Sequence, residues 1–304
     1  MSLTVPRRLL AVAMAAVCAL VLGASAVRAD AAATRVVALE WDAIENLTVL
    51  GVTPVGAADL KGYDHWVPVK RRTGTEDVGL RTAPSLTRIA SLRPDLIIAP
   101  DYRVTSNLSS LRKIAPVIVT RPYPSGSDQA QYNAMIRDFR TIAKAVGKRR
   151  EGERVIAGLN ATTRASAARL KKAGRKGIAL TISTPGGTLG APAVRMFTDN
   201  AAPVEVVRRL GLRNAWTGAN QRYGYATVGV EAFRQVQNGW LAFIYPKEFD
   251  PIIKRFTSQP SFTNLAFVKR NRVRTLPGTT WLYGGPKSTA IFAQRLTVAL
   301  TSNG

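Results

Sequence analysis

The feature that most constrains the fold is a central stretch of the chain without strand character. Residues 148–173 contain no proline and no strand-like run, and Val155 and Leu159 recur at helical spacing. A rise of ~1.5 Å per residue would make one helix about 39 Å long. Such a helix can join two lobes, so we predict a first lobe over 30–147, a bridging helix over 148–173 and a second lobe over 174–304.

Both predicted lobes alternate short aliphatic runs with helical patterns. The strand candidates are 36–39, 95–99, 117–119, 178–182, 240–244 and 273–276, and the helix candidates are 42–50, 84–92, 108–114, 129–146, 202–210, 230–236 and 286–300. Strands that alternate with helices are typical of parallel sheets with helices on their faces. The predicted fold class is therefore α/β, with two α/β lobes bridged by a single long helix.

The first 29 residues are predicted to be a signal peptide. Arg7-Arg8 precedes an apolar run over 9–23, and small residues follow up to Ala29. The arginine pair fits either a twin-arginine export signal or an ordinary basic start, and both interpretations stay open. Lipid anchoring through Cys18 is not expected, because the residues before it form a poor lipobox. We therefore expect a periplasmic protein.

The scarcity of cysteine and histidine excludes several kinds of site. One cysteine excludes an internal disulfide, and the one histidine, His65, excludes a multi-histidine metal centre. Any Ser-His-Asp or Cys-His mechanism would depend on His65 alone, and no Gly-x-Ser-x-Gly motif is present. We expect a protein that is not an enzyme, and a secreted α/β hydrolase remains the alternative from another class.

The positive charge calls for a nucleic-acid alternative to be considered. The 304 residues include 43 Lys+Arg and 19 Asp+Glu, a formal net charge of +24, and the segment 174–304 holds 17 basic against 5 acidic residues. These charges are spread over helices and loops without an ordered stripe of stacking aromatics, so we interpret them as solvated surface. The Gly-rich segment 184–190 lacks the Lys-[Ser/Thr] ending of a phosphate loop and is interpreted as a tight turn.

Aromatic residues cluster where strands are predicted to end. Trp281 and Tyr283 follow the last strand, and Tyr223 and Tyr225 repeat the same i, i+2 spacing, which would point both members of a pair the same way in an extended segment. Tyr102 lies just beyond the strand candidate 95–99. Because ligands of open α/β sheets bind outside the carboxyl ends of the strands, these rings predict a cleft shared by both lobes.

Three motifs carry a resemblance to a known family. They are Asp77-Val78-Gly79-Leu80-Arg81-Thr82-x-Pro84, Asn214-Ala215-Trp216-x-Gly218 and Trp281-x-Tyr283-Gly284, with a weaker match over 93–98. On these residues the chain resembles the periplasmic siderophore-binding components of ABC iron importers, in particular the ferric-hydroxamate-binding members. The resemblance covers nearly the whole mature chain. It implies the helical-backbone fold of metal-chelate binding proteins, with the ligand cleft between two α/β lobes.

The resemblance also implies a set of ligand contacts. They are Trp66, Arg81, Tyr102, Tyr223, Tyr225, Trp281 and Tyr283. The Arg81 guanidinium and the Tyr102 hydroxyl are expected to donate hydrogen bonds to hydroxamate oxygens, and the other rings are expected to cover the carbon scaffold. At Tyr223 and Tyr225 the chain departs from the family pattern, which has a tryptophan and a serine. That departure leaves the identity of the siderophore open.

The implied role is to capture a ferric hydroxamate siderophore after export and to deliver it, as a monomer, to an ABC permease in the inner membrane. No cofactor and no protein metal ligand are expected, since the iron stays in the siderophore. Carriers of haem, vitamin B12 or catecholate siderophores are the nearest alternatives. Glu231 is the expected permease-docking residue, although the helix dipole also favours an acid there. The matching first-lobe position, Thr87, lacks the charge, and Glu76 or Asp77 are possible substitutes.

Overall fold

A computed structural model describes residues 32–125, 130–188, 191 and 193–302. The signal peptide predicted over 1–29, including Cys18, lies outside the described residues, as does the first residue of the helix predicted to begin at Gln129. Within the described ranges, no helix combines the length and the apolar character that crossing a membrane requires.

The first lobe is built on a parallel sheet. Its strands are β1 (Val36–Ala38), β2 (Gly56–Ala57), β3 (Glu76–Asp77), β6 (Leu96–Pro100) and β7 (Val117–Thr120), and a separate hairpin is formed by β4 (Gly79–Leu80) and β5 (Ala83–Pro84). The order across the sheet is β3-β2-β1-β6-β7, and every neighbouring pair is parallel. The central strands β1 and β6 are fully buried, as their continuous aliphatic sequences predict.

Within the described part of the first lobe, six helices accompany this sheet. They are α1 (Trp41–Val49), α2 (Leu60–Trp66), α3 (Leu86–Ser91), α4 (Asp101–Val104), α5 (Leu108–Ile114) and α6 (Ala130–Ala145). The prediction that Pro84 opens a helix is wrong. Pro84 lies in a hairpin strand, and α3 begins after Ser85, whose hydroxyl accepts a hydrogen bond from the Arg88 backbone N–H and caps the helix.

The lobes are bridged by one long helix, α7 (Arg149–Lys172), as the sequence predicts. Gly147 precedes it with φ 69° and Gly174 follows it with φ 68°, backbone values that glycine adopts without strain. The buried side of α7 includes Ile156, Leu159 and Leu170 and packs against α6 of the first lobe and a C-terminal helix of the second.

The second lobe is built on a mixed sheet. Its strands are β8 (Ala179–Pro185), β9 (Val194–Phe197), β10 (Arg213–Asn214), β11 (Tyr225–Val228), β12 (Trp240–Tyr245) and β13 (Val273–Pro277). The order is β11-β9-β8-β12-β13, with β10 paired to the first residues of β8. Strands β8, β10, β12 and β13 are parallel to one another. At one side of the sheet, β9 pairs antiparallel with β8, and β11 pairs antiparallel with β9.

Helices and a phenylalanine cluster complete the second lobe. The helices are α8 (Ala202–Arg209), α9 (Asp250–Thr257), α10 (Pro260–Thr263), α11 (Ala266–Lys269) and α12 (Pro286–Thr301), with 3₁₀ segments at Val230–Val236 and Lys247–Phe249. The outer core contains Phe233, Phe243, Phe256, Phe262 and Phe267, whose rings pack mainly edge to face. The segment 230–236, predicted as a helix, is a 3₁₀ helix.

A buried carboxylate joins the lobes beneath the cleft. Glu45 of α1 has no exposed surface and accepts hydrogen bonds from the Ser288 backbone N–H (2.8 Å) and hydroxyl (2.6 Å) in the first turn of α12. Burial raises its pKa, and the hydrogen bonds from Ser288 act against that rise. A side chain at Gly284 or Gly285 would collide with Glu45 or Asn46, so these glycines allow the close approach of the two lobes.

Candidate ligand-binding site

A cavity of about 290 Å³ lies between the two lobes. It is lined by Glu40, Asp42, Arg81, Tyr102, Arg103, Pro122, Tyr123, Arg195, Tyr223, Tyr225, Trp281 and Tyr283. A second cavity of about 380 Å³ shares Arg81, Arg195, Trp281 and Tyr283 with it and adds Trp66. The two spaces form one cleft, and all seven sequence-predicted ligand contacts line it.

The cleft lies at the carboxyl ends of the strands, where the topology predicts it. Glu40 follows β1, Tyr102 lies on α4 directly after β6, and Trp281 follows β13 by a few residues. Trp66 is the last residue of helix α2, and Trp281 and Tyr283 approach to 5.2 Å between ring centroids across a turn.

Glu40 organises the first-lobe wall of the cleft. This carboxylate is only 6% exposed and accepts hydrogen bonds from Arg81 Nη1 (2.5 Å), Arg103 Nε (2.9 Å) and the Tyr102 hydroxyl (3.0 Å). Burial alone would raise its pKa, but the charges of Arg81 and Arg103 and the bond from the Trp41 backbone outweigh burial, so the pKa is lowered. Glu40 is therefore ionised at neutral pH.

Arg81 is held in place before any ligand arrives. Its Nε donates to Asp59 Oδ2 (3.2 Å), and its guanidinium carbon lies 3.4 Å from the ring centroid of Trp41. Since a guanidinium has five N–H donors, it retains others for a ligand. The Tyr102 hydroxyl was expected to donate to a ligand, but it donates to Glu40 instead. A hydrogen bond to an ionised carboxylate is stronger than one to a neutral acceptor.

The polar groups of the second-lobe wall make fewer hydrogen bonds within the protein. The Arg195 guanidinium carbon lies 4.6 Å from the Tyr225 ring centroid, and its buried Nε has no hydrogen-bond partner within the described ranges. The Tyr283 hydroxyl and the Trp281 indole N–H are also buried without a partner there. Burial raises the pKa of Tyr283, and nearby Arg195 partly offsets the rise, so this hydroxyl stays protonated. These groups are ready to donate to a ligand.

Aromatic rings connect the two walls. Tyr123 of the first lobe lies 5.1 Å from Tyr102 and 5.2 Å from Tyr223 of the second lobe, measured between ring centroids. On the other side, Trp281 lies 6.3 Å from Trp66. The cleft therefore presents an apolar band suited to a carbon scaffold, with polar groups at set positions.

Asp42 lies half-buried beside Glu40 in the cleft. Burial and, after it, the negative charge of Glu40 raise its pKa to about 8. Asp42 is therefore mostly protonated at pH 7. Of the three guanidinium groups that line the cleft, Arg81 and Arg103 are paired with the carboxylates of Glu40 and Asp59, and Arg195 adds one positive charge.

Sequence reasoning missed Glu40, Asp42, Arg103, Tyr123 and Arg195. Glu40 and Asp42 had a detectable signal, because a carboxylate directly after a buried strand is placed at the ligand-binding edge of the sheet. Arg195 had none, since it lies on β9, a strand the sequence did not predict.

The hydrolase alternative finds no catalytic arrangement around the one histidine. The His65 ring contacts the Glu248 carboxylate across the mouth of the cleft and the Trp66 ring, and Asp64 is paired with Arg71 instead. No hydrogen bond described here joins His65 to a serine. The described ranges also contain no group of three or more His, Cys, Asp or Glu residues that could hold a metal ion.

The predicted docking residue, Glu231, does not line the cleft. Glu231 is exposed at the start of the 3₁₀ segment Val230–Val236, with its carboxylate folded back towards Gly229. Thr87, its first-lobe counterpart, is exposed on α3. Both positions are accessible to a partner, and docking itself stays a prediction.

Comparison with known proteins identifies relatives that cover most of the chain. The iron(3+)-hydroxamate-binding protein FhuD of Escherichia coli (strain K12) is 28% identical over 273 residues, 88% of this chain and 86% of that protein. The Fe(3+)-citrate-binding protein YfmC of Bacillus subtilis (strain 168) is 32% identical over 265 residues, 86% of this chain and 78% of that protein.

Solved structures and a family model agree with this. The siderophore-binding protein FhuD from Vibrio cholerae, in complex with Fe³⁺-Desferal, matches with a TM-score of 0.80 and 28% identity, covering 88% of this chain and 98% of that one. The predicted α/β fold with a bridging helix is thereby confirmed. The family model for periplasmic binding proteins matches residues 36–280, a family of substrate-binding proteins and not of enzymes. The chain belongs to the periplasmic binding protein family Peripla_BP_2.

Proposed function

We propose that this chain is the substrate-binding component of an ABC importer, which captures a ferric hydroxamate siderophore after export and delivers it to an inner-membrane permease. The observation that carries the proposal is the aromatic cleft in which carboxylates offset the charges of two of the three arginines. A tris-hydroxamate balances the charge of iron(III) and yields a compact, nearly neutral complex with a carbon scaffold. Its charge and surface match those of the cleft.

The contacts follow from the geometry of the two walls. Arg195, Tyr283 and the remaining donors of Arg81 can bind hydroxamate oxygens, while Trp66 and Trp281 cover the scaffold. The iron stays inside the chelate and receives no ligand from the protein. The names of the relatives support this class of cargo, since one binds iron(3+) hydroxamate and another Fe³⁺-Desferal, itself a hydroxamate chelate.

A ferric carboxylate chelate is the second candidate. It is favoured by the buried Nε of Arg195, which has no partner in the described ranges and would suit a carboxylate, and by the similarity to the Fe(3+)-citrate-binding protein YfmC. Two citrates around one iron(III) carry six carboxylates, which exceeds the charge of the metal, and such an anionic complex would need more unpaired cations. Glu40 and Asp59 already neutralise two of the three arginines, so we rank this candidate below the hydroxamate.

The experiment is a titration by intrinsic tryptophan fluorescence of the protein isolated after export. Ferrioxamine-type, ferrichrome-type, ferric citrate and catecholate complexes are compared, each with its iron-free form. We expect at least one hydroxamate to quench at micromolar concentration or below and at least about tenfold more tightly than ferric citrate. Trp281→Ala should weaken that binding markedly, because a covered aromatic ring buries ~150–250 Å².

A free tryptophan derivative serves as the control for absorption of light by the iron complexes. Failure of every hydroxamate to quench, with ferric citrate binding instead, would replace the proposed cargo with a carboxylate chelate. Failure of all iron complexes would remove the iron-carrier function altogether.

A further inference from the structure

The second lobe has a face that the proposed function does not use. Strands β8, β10, β12 and β13 are parallel, so their amino ends lie together at the end of the sheet opposite the cleft. Backbone hydrogen bonds join this edge, from Gly177 N–H to the Gly211 carbonyl (2.7 Å) and from Leu241 N–H to the Arg272 carbonyl (3.0 Å). The end of α7 leads directly into it.

This face carries a concentration of exposed cations. We call the exposed side chains of Arg169, Lys171, Lys172, Lys176, Lys269 and Arg270 the basic pole. The sequence contains no Asp or Glu over 154–198, 206–230 or 251–304, and every segment of the basic pole lies in one of these acid-free stretches. The basic pole therefore has no carboxylate within its own segments to neutralise it.

Two further arginines at this edge have a structural role, which separates them from the basic pole. Arg175 and Arg274 lie with their guanidinium carbons 4.7 Å and 5.0 Å from the ring centroid of Trp240. They donate hydrogen bonds to the carbonyls of Leu300 and Ala299 at the end of α12. Such contacts stabilise a helix C-terminus, and they leave the exposed cations outside unexplained.

We propose that the basic pole binds the surface of an anionic phospholipid bilayer. Its charges are mostly lysines spread over one end of the lobe, which suits many headgroup phosphates at once. A nucleic acid is disfavoured because the aromatic ring at this edge, Trp240, is only 7% exposed and offers no platform for stacking bases. The carboxyl-end cleft stays accessible while the opposite end of the sheet contacts lipid.

The test is sedimentation with vesicles of phosphatidylcholine alone and of phosphatidylcholine with phosphatidylglycerol. One variant replaces Lys171, Lys172, Lys176 and Lys269 of the basic pole with glutamine. The matched control replaces the exposed lysines Lys61, Lys70, Lys113 and Lys144 of the first lobe and removes the same charge. All proteins keep the same N-terminus, so that segment cannot produce a difference between them.

We expect the parent protein to sediment with the anionic vesicles at low salt and to be released as salt is raised. Since each lysine near an anionic surface contributes roughly fivefold to partitioning, removing four of them should weaken binding of the basic-pole variant by roughly 600-fold, and the control variant should stay close to the parent. Equal losses in both variants would overturn the proposal in favour of net charge alone. Absence of any preference for anionic vesicles, or retention on DNA without vesicle binding, would also overturn it.

Discussion

The two walls of the cleft use similar residue types in opposite ways. On the first lobe, Glu40 accepts hydrogen bonds from Arg81, Arg103 and Tyr102, so these polar groups are paired with one another. On the second lobe, Arg195 Nε and the Tyr283 hydroxyl are buried without partners in the described ranges. Each wall thus has an arginine and a tyrosine hydroxyl. On the first lobe these groups are hydrogen-bonded within the protein, and on the second lobe they have donors without a partner in the described ranges.

The difference separates stability from affinity. A side chain whose polar atoms are already paired stabilises the empty protein, and its removal leaves a buried partner without compensation. A buried donor without a partner lowers the stability of the empty protein and gains its hydrogen bond only when a ligand binds. First-lobe substitutions should therefore act mainly on folding, and second-lobe substitutions mainly on ligand affinity.

The largest loss of stability is expected for Glu40→Gln. The substitution leaves Arg81 and Arg103 without their shared counter-charge. Removing one partner of a buried ion pair reduces stability by roughly 3–5 kcal/mol. The two arginine side chains are 21% and 23% exposed, so we expect a value near the lower end, about 3 kcal/mol. Urea denaturation of the empty protein measures it.

Glu153→Gln is the matched control for that experiment. It breaks an Arg–Glu pair of similar length, Arg140 Nε to Glu153 Oε1 at 2.7 Å, in which both side chains are more than half exposed. Exposed pairs contribute little, because water screens them. Equal losses of stability in the two variants would show that the Glu40 pairs are no more important to folding than a surface pair.

The second prediction compares Arg195→Ala with Arg81→Ala. Arg195 makes no ion pair within the described part of the chain, and its removal loses mainly the contact with the Tyr225 ring, so stability should fall by no more than about 1 kcal/mol. Chelate affinity should fall about 10- to 100-fold, the range for a hydrogen bond that involves a charged group. Arg81→Ala should weaken binding too, but it should also destabilise the empty protein, because Glu40 and Asp59 lose a partner.

Fluorescence titration and urea denaturation of both variants give the two quantities. The comparison of the walls fails if Arg195→Ala destabilises the empty protein as much as Arg81→Ala does. Unchanged titrations for both variants would move the binding site elsewhere.

The fold could be predicted in outline because apolar periodicity is a local signal. Runs such as 36–39 and 240–244 are continuous and buried, and the segment 148–173 has neither a strand-like run nor a proline. Strand β9 was missed since only four residues form it, with the charged Arg195 among them. Backbone pairing with β8 and β11 stabilises β9 as a strand, and its own sequence carries no signal for that pairing.

The site could be predicted only in part, for a related reason. Aromatic residues after predicted strands mark the ligand edge one at a time, so Tyr102, Trp281 and Tyr283 could be found without knowledge of the fold. Glu40 contacts residues that are 41 and 63 positions away, and no local pattern encodes those contacts. Whether each donor has a hydrogen-bond acceptor within the protein is decided by tertiary structure alone.

A third prediction concerns Asp42 and pH. Its pKa is raised to about 8 from 3.8, so between these values the folded protein retains a proton that the unfolded chain has lost. Stability should therefore fall as pH rises through that window, with a slope of up to ~1.4 kcal/mol per unit from this group. Asp42→Asn removes this contribution, so the variant should exceed the parent in stability at pH 8 and match it near pH 4.

Thermal unfolding of both proteins over pH 4–9 checks the difference curve, in which groups common to both cancel. A parent that gains stability relative to Asp42→Asn on going from pH 5 to pH 8 would show that Asp42 is ionised in the folded state. The first-lobe wall would then carry one more negative charge than described here.

The sharpest contrast is expected from removing a single hydroxyl on each wall. Tyr102→Phe deletes a donor to Glu40 and should reduce the stability of the empty protein by about 1.5–3 kcal/mol, the range for a hydrogen bond to a charged group. Tyr283→Phe deletes a hydroxyl without a partner, so stability should stay equal or rise slightly, while chelate affinity falls by up to about tenfold. The opposite pattern, with Tyr283→Phe unstable and Tyr102→Phe weak in binding, would mean that the second-lobe wall is the satisfied one.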